Sequence, residues 1–119
     1  MKAHQFRKLL VWQKSMRVVL KIYKTTSVFP KKELFGLIDQ IRRAAISIPL
    51  NIAEGSGSSS NREFIHFLSI AKRSAYEVIA ALEIARSLQY GNDVEIQSLI
   101  KECEEICAMI VGFSKQLVS

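Results

Sequence analysis

Two cysteines near the C-terminus are the first residues whose type and spacing could do chemistry. Cys103 and Cys107 stand four residues apart in a helical pattern, so their thiolates could together contact one metal ion. Two ligands do not make a site, and neither His4 nor His66 is spaced to complete it. We therefore predict a reduced pair of thiols in the core and at its margin, and no metal ion or other cofactor.

Groups for catalysis are equally sparse in the sequence. No Ser-His-acid or Cys-His arrangement is visible. Glu102, Glu104 and Glu105 could serve a metal-dependent nuclease, but they point to different sides of one predicted helix and have no partner histidine. The GSGSS segment at 55–59 follows a predicted helix and lacks the Lys-Ser/Thr pair of a P-loop, which favours a flexible turn. We predict that the protein is not an enzyme.

Basic residues on the first predicted helix are candidates for nucleic-acid binding. Their spacing of three, four and three residues places them on one helix face, where they could contact successive phosphates. We call this face the basic stripe; it consists of Lys14, Arg17, Lys21 and Lys24. Arg42, on the second helix, is a further candidate for an outside anion. The alternative interpretation is a solvated helix face, and base readout is not indicated because few aromatic residues stand among the lysines.

The segment 35–55, FGLIDQIRRAAISIPLNIAEG, predicts a helix with two apolar faces. The first has the spacing of a core stripe and consists of Leu34, Leu37, Ile38, Ile41, Ala45, Ile48 and Ile52. The second lies about a third of a turn away and consists of Phe35, Ile46, Leu50 and Ala53. Because a helix with two apolar faces is usually covered on both, we predict that a neighbouring subunit covers the second. Polar residues beside it are expected to hydrogen-bond to a neighbouring helix or subunit, and the alternative is a binding site; they are Arg43, Asn51 and Glu54.

Four helices must position these residues. The first is predicted from about Arg7 to Thr25, with an apolar face formed by Leu9, Trp12, Met16, Val19, Leu20 and Tyr23. The second is predicted from near Pro30 to Gly55, with a kink or opened turn around Pro49.

Capping residues in the sequence predict where the third and fourth helices begin. Ser60 with Glu63 forms a capping box for the third, and Asn92 or Asp93 caps the fourth. A strict apolar stripe on the fourth helix runs from Ile96 to Leu117. Because connections of a few residues force consecutive helices to run antiparallel, we predict one all-α domain, residues 1–119, with the architecture of an up-down-up-down four-helix bundle.

The composition is typical of a globular protein, with 49% apolar and 24% charged residues. No apolar run approaches the ~20 residues of a membrane span, and the N-terminus lacks the apolar core of a secretory signal, so we expect a cytoplasmic protein. Residues 1–62 hold 12 Lys and Arg against 3 acids, and residues 63–119 hold 5 against 8. This asymmetry permits an anionic partner, and it also permits attraction between the halves within one bundle or across subunits.

Several segments, in order, match the pattern of one protein family. They are Phe6, Val11 with Trp12, FP at 29–30, FGL at 35–37, QIRRAAISIPLNIAEG at 40–55 and EFIHFLSIAKRSAYEV at 63–78. From about Phe6 to Leu117 the chain resembles the proteins encoded by intervening sequences of bacterial 23S rRNA genes. The resemblance implies a four-helix bundle that assembles into a ring-like homopentamer, without established enzymatic activity and with a link to RNA or ribosomes.

Two functions follow from these observations. The leading one is a non-enzymatic, homo-oligomeric four-helix bundle that presents a basic surface to RNA or another polyanion. The alternative is a protein-assembly or adaptor module that has no nucleic-acid ligand and uses its charge asymmetry between subunits.

Overall fold

The structure, a computed structural model, describes residues 3–118, with side chains from residue 5 onward. Its four α-helices are α1, Leu10–Thr26; α2, Leu37–Ser56; α3, Asn61–Ser87; and α4, Asp93–Val118. Short 3-10 helices precede α1 and α2, at Ala3–Lys8 and Lys31–Glu33. The described residues contain no strand, and the all-α fold class is confirmed. The side chain of His4 lies outside the described part.

Side-chain caps start both helices of the C-terminal half, as predicted. Ser60 Oγ accepts a hydrogen bond from Glu63 N at 3.1 Å. Asn92 Oδ1 accepts one from Glu95 N at 3.0 Å. Each cap satisfies one of the backbone amides that the first turn of a helix leaves without an intrahelical partner.

The second helix begins later than predicted, at Leu37 instead of near Pro30. The backbone at Gly36 leaves the helical region, with φ −113° and ψ −107°, so the 3-10 turn and α2 are separate elements. Glu33 connects them to the rest of the fold. Its Oε1 accepts a hydrogen bond from Leu37 N at 3.3 Å, and its Oε2 accepts one from the Tyr90 hydroxyl at 3.0 Å.

The helices pack as neighbours in chain order, and α4 closes the bundle against α1. A contact between opposite ends shows that α3 and α4 run antiparallel. Asn61, at the start of α3, donates through Nδ2 to Leu117 O near the end of α4 at 3.1 Å. Gly55, near the end of α2, lies so close to Phe64 at the start of α3 that a Cβ would stand 2.7 Å from its ring. These contacts agree with the up-down-up-down order that the short connections predict.

The core face of α1 differs from the predicted one. The buried residues lie one position away from the predicted set and include Val11, Ser15, Val18 and Ile22. Ser15 is tolerated in the core because its hydroxyl donates to Trp12 O at 2.7 Å. Of the predicted face, Trp12 is only partly buried and Leu20 is 68% exposed. The physical reason is that α1, like α2, has two neighbouring apolar faces, and periodicity does not tell which one faces the core.

The core stripes of α2 and α4 lie where the sequence predicts them. In α2 the buried members are Ile38, Ile41, Ala45, Ile48 and Ile52. Leu34, which precedes the helix, is exposed. In α4 the buried members include Ile96, Leu99, Cys103, Ile106 and Ile110. Pro49 is buried within α2, which continues through it without an opened turn.

Candidate nucleic-acid and subunit interfaces

Half of the basic stripe is paired with carboxylates of α4. Lys21 Nζ lies 3.0 Å from Glu102 Oε2. Lys14 Nζ lies 3.6 Å from Glu105 Oε1 and 3.9 Å from Glu102 Oε1. These two lysines therefore connect α1 to α4, and their charge is partly neutralised before any outside anion arrives.

The other half of the basic stripe faces solvent. Arg17 and Lys24 are exposed, and neither forms an ion pair with any residue that the structure describes. Lys31 and Lys32, in the turn between α1 and α2, are likewise exposed and unpaired within residues 5–118. Our sequence reasoning missed these two lysines as site residues, although their adjacency was visible. The α1 side of the molecule thus keeps a set of cations that could contact phosphates.

Arg42 is held by the end of α1. Its Nε donates to Thr26 Oγ1 at 3.0 Å, and one terminal nitrogen donates to Tyr23 O at 3.3 Å. The guanidinium also lies over the Tyr23 ring, 4.5 Å from its centroid. Arg42 therefore donates a hydrogen bond to a carbonyl in the last turn of α1 and connects α2 to that helix. These bonds leave the guanidinium with fewer donors for an outside anion.

An open groove between α1 and α2 is lined by apolar and aromatic side chains. We call it the apolar groove, and its volume is about 320 Å³. Its main walls are formed by Trp12, Met16 and Val19 of α1 and by Ile46, Leu50 and Ala53 of α2. Phe6 and Pro49 complete the lining, and the Phe6 ring meets the Trp12 ring edge to face with centroids 5.1 Å apart. The apolar groove joins the second apolar face of α1 to that of α2.

Phe35 is not part of the apolar groove. It stands just before α2 and is 92% exposed, the highest value among the large apolar residues that the structure describes. The structure therefore brings together three of the four apolar residues assigned to the subunit interface and leaves Phe35 apart from them.

Two of the three polar residues assigned to the same interface, Arg43 and Asn51, contact their own helix. Arg43 Nε donates to Asp39 Oδ2 at 3.0 Å. Asn51 Nδ2 donates to the backbone and side-chain oxygens of Ser47, at 2.8 and 2.9 Å. Ser47 in turn accepts from Ser74 Oγ of α3 at 2.8 Å, so this chain of hydrogen bonds reaches the neighbouring helix. Glu54 is exposed, and its carboxylate has no partner among the described residues.

A family model described as 23S rRNA-intervening sequence protein matches residues 7–112, a range that includes both walls of the apolar groove and the basic stripe. The chain belongs to this family.

A solved structure supports the same assignment. It is the crystal structure of a protein with unknown function from the S23 ribosomal protein family of Bacteroides thetaiotaomicron VPI-5482. The two chains share 28% sequence identity with a TM-score of 0.80, and the match covers 89% of this chain and 99% of that chain. A search of the curated proteins gives no match. Neither the family description nor the name of the solved protein describes an enzyme.

In this member of the family both cysteines are buried and free. Burial raises the pKa of Cys103 to about 12, and burial also raises the pKa of Cys107. Across the described side chains, no three His, Cys, Asp or Glu residues group so that they could hold a metal ion. No helix within residues 3–118 has the length and hydropathy needed to cross a bilayer.

Proposed function

We propose that this protein is a non-enzymatic, homo-oligomeric four-helix bundle that binds RNA or another polyanion through its basic surface. The observation that carries the proposal is the apolar groove, which a single subunit leaves open. Leu50, at the centre of its α2 wall, is 62% exposed. Contiguous exposed apolar surface of this kind is typical of a protein–protein contact.

The assembly we propose is a cytoplasmic, ring-like homopentamer, the form that the family resemblance implies. A ring presents the same cations once per subunit. Because contacts on linked subunits reinforce one another, a few phosphate contacts per subunit are enough for binding by the assembled ring.

The first RNA contacts that we propose are Arg17 and Lys24, because both are exposed and unpaired within the described part. For a single strand, two phosphate contacts per subunit give a salt slope of about −1.4. Lys14 and Lys21 contribute only where phosphate displaces the α4 carboxylates, and four contacts would give about −2.8. Arg42 contributes less, since its guanidinium is bound to Thr26 and Tyr23.

Light scattering combined with titration of a structured rRNA fragment at several salt concentrations tests the proposal. We expect a mass above that of one subunit and binding that weakens as salt rises. The double variant Arg17→Gln with Lys24→Gln should flatten the salt slope. Arg73→Gln with Lys101→Gln removes the same charge from exposed positions of α3 and α4 and should change the slope less. A monomeric mass, or no binding at low salt, would contradict the proposal.

A second function is favoured by the ion pairs of Glu102 with Lys14 and Lys21, since they use basic charge inside the bundle. It is the assembly or adaptor module without a nucleic-acid ligand. An oligomer that binds no RNA at low salt would support this function over the first.

A further inference from the structure

We propose that Phe35 of one copy of this chain docks into the apolar groove of a second copy. The inference rests on the proposed homo-oligomer and names the contact that builds it. Phe35 is 92% exposed just before α2, so its own subunit leaves the ring uncovered. An aromatic side chain in that position has much apolar surface to lose to a partner.

The apolar groove has the size and chemistry to receive an aromatic ring. Its volume is about 320 Å³, and an engineered apolar cavity of about 150 Å³ already accepts benzene. Trp12 offers an aromatic wall, and Met16 offers a polarizable sulfur, which packs favourably against ring edges.

The occupant must come from another copy, because Phe35 cannot reach its own groove. Ile46 and Leu50 lie nine and thirteen residues beyond the first residue of α2. At 1.5 Å per residue the groove is therefore about 14 to 20 Å along the helix from its start. Each copy carries one Phe35 and one groove at separate places, so the contact can repeat from copy to copy.

Charges of opposite sign stand beside the two surfaces, although the groove also carries a cation, the Arg7 guanidinium 4.7 Å from the centroid of the Phe6 ring. Lys31 and Lys32 precede Phe35, are exposed and have no carboxylate partner in the described part of the chain. At the groove, Glu54 follows Ala53 and stands four residues after Leu50; it too is exposed and unpaired within residues 5–118. Docking of Phe35 would bring Lys31 and Lys32 of one copy toward Glu54 of the other. This attraction favours the orientation of the two copies in which these charges meet.

Disulfide crosslinking tests the contact directly. Chains carrying Phe35→Cys and chains carrying Leu50→Cys are coexpressed and oxidised. We expect crosslinks between the two kinds of chain, because the disulfide traps the contact covalently even though loss of the ring weakens it. The chain's own cysteines do not compete, because both are buried. The control combines Leu50→Cys chains with Val94→Cys chains and should give few crosslinks. Val94 is an apolar residue on α4 that is 76% exposed. Equal crosslinking at Val94 would overturn the proposal.

A second measurement uses Trp12, the only tryptophan of the chain and a wall of the groove. Phe35→Ala should weaken subunit association on the order of 30-fold and shift Trp12 emission to longer wavelength. Lys31→Glu with Lys32→Glu should weaken association, and Glu54→Lys in the same chain should restore part of it. An intact wild-type oligomer without Phe35–Leu50 crosslinks overturns this contact alone, whereas a monomeric wild type overturns the proposed function as well.

Discussion

Glu102 connects the stability of the bundle to its affinity for anions. Its side chain is 15% exposed, and its carboxylate lies 3.0 Å from Lys21 Nζ and 3.9 Å from Lys14 Nζ. Partly exposed ion pairs of this kind typically contribute at most about 1 kcal/mol each to folding. Their larger effect is to hold two lysines of the basic stripe on α4, so Glu102 competes with phosphate for the same amines.

Replacing Glu102 with Gln should therefore strengthen RNA binding. The substitution releases Lys21, whereas Lys14 keeps Glu105 as a partner at 3.6 Å. One released lysine would steepen the salt slope by about 0.7 per subunit on a single strand. The free energy of unfolding should fall by no more than about 2 kcal/mol, the upper limit for the two ion pairs that Glu102 forms. Binding titrations at several salt concentrations measure the first effect and urea unfolding the second. Glu104→Gln is the matched control, because it makes the same charge change at an exposed position; equal slopes in both variants would contradict the prediction.

Cys103 should make the fold sensitive to alkaline pH. Burial raises its pKa from 9.0 to about 12, so the folded state keeps a proton that the unfolded state loses. Its contribution to stability is present below pH 9 and is lost as the pH rises toward 12, by at most about 1.4 kcal/mol per pH unit. Urea unfolding between pH 8 and 10.5 should show a shallower decline for Cys103→Ala than for the wild type. If the free energy of unfolding falls equally with pH in both proteins, the buried Cys103 thiol does not cause the pH dependence, and the prediction is contradicted.

The contact between α2 and α3 depends on a glycine inside a helix. A Cβ on Gly55 would stand 2.7 Å from Phe64 Cδ1 and 2.8 Å from Phe67 Cβ. The close approach of the two helices at this end therefore requires the absence of a side chain. The gain in helix propensity from alanine is smaller than the cost of such an overlap between packed elements.

Gly55→Ala should accordingly lower the free energy of unfolding by about 1 to 2 kcal/mol. Gly112→Ala is the matched control, because Gly112 lies inside α4 and an added Cβ there would meet no other helix within 4 Å. It should raise the free energy of unfolding by up to about 1 kcal/mol through helix propensity alone. Denaturant unfolding of both variants compares the two effects. If Gly55→Ala instead raises the free energy of unfolding, Phe64 and Phe67 can move aside at little cost, which would contradict the prediction.

The assembled protein should be more stable than its separate subunit. When folded subunits associate, the melting temperature rises with protein concentration, because association removes folded monomer from the equilibrium. A charge at Leu50 places an unpaired group in the proposed contact, so Leu50→Glu should abolish this dependence. Val94→Glu introduces the same charge at a similarly exposed apolar position and should preserve it. Thermal melts over a hundredfold range of protein concentration distinguish the two variants. A wild-type melting temperature that does not change with protein concentration would contradict self-assembly.

The sequence by itself determined the helices and several of their boundaries, because these depend on neighbours a few residues away. Ser60 and Asn92 cap helices through bonds that span three residues. The core stripes of α2 and α4 repeat with the helical period and were predicted for the same reason. The second apolar strip of α2 was also visible, and its three helical members line the apolar groove.

Only the tertiary structure decided which face of α1 enters the core, because two adjacent faces of that helix are apolar and the choice depends on what packs against them. Val18 faces inward, and Trp12 turns toward the groove. Tertiary structure also decided which lysines are available to a ligand. Lys21 meets Glu102 across 81 positions of the chain. Local periodicity contains no information about such a pair, since it exists only once α4 closes against α1.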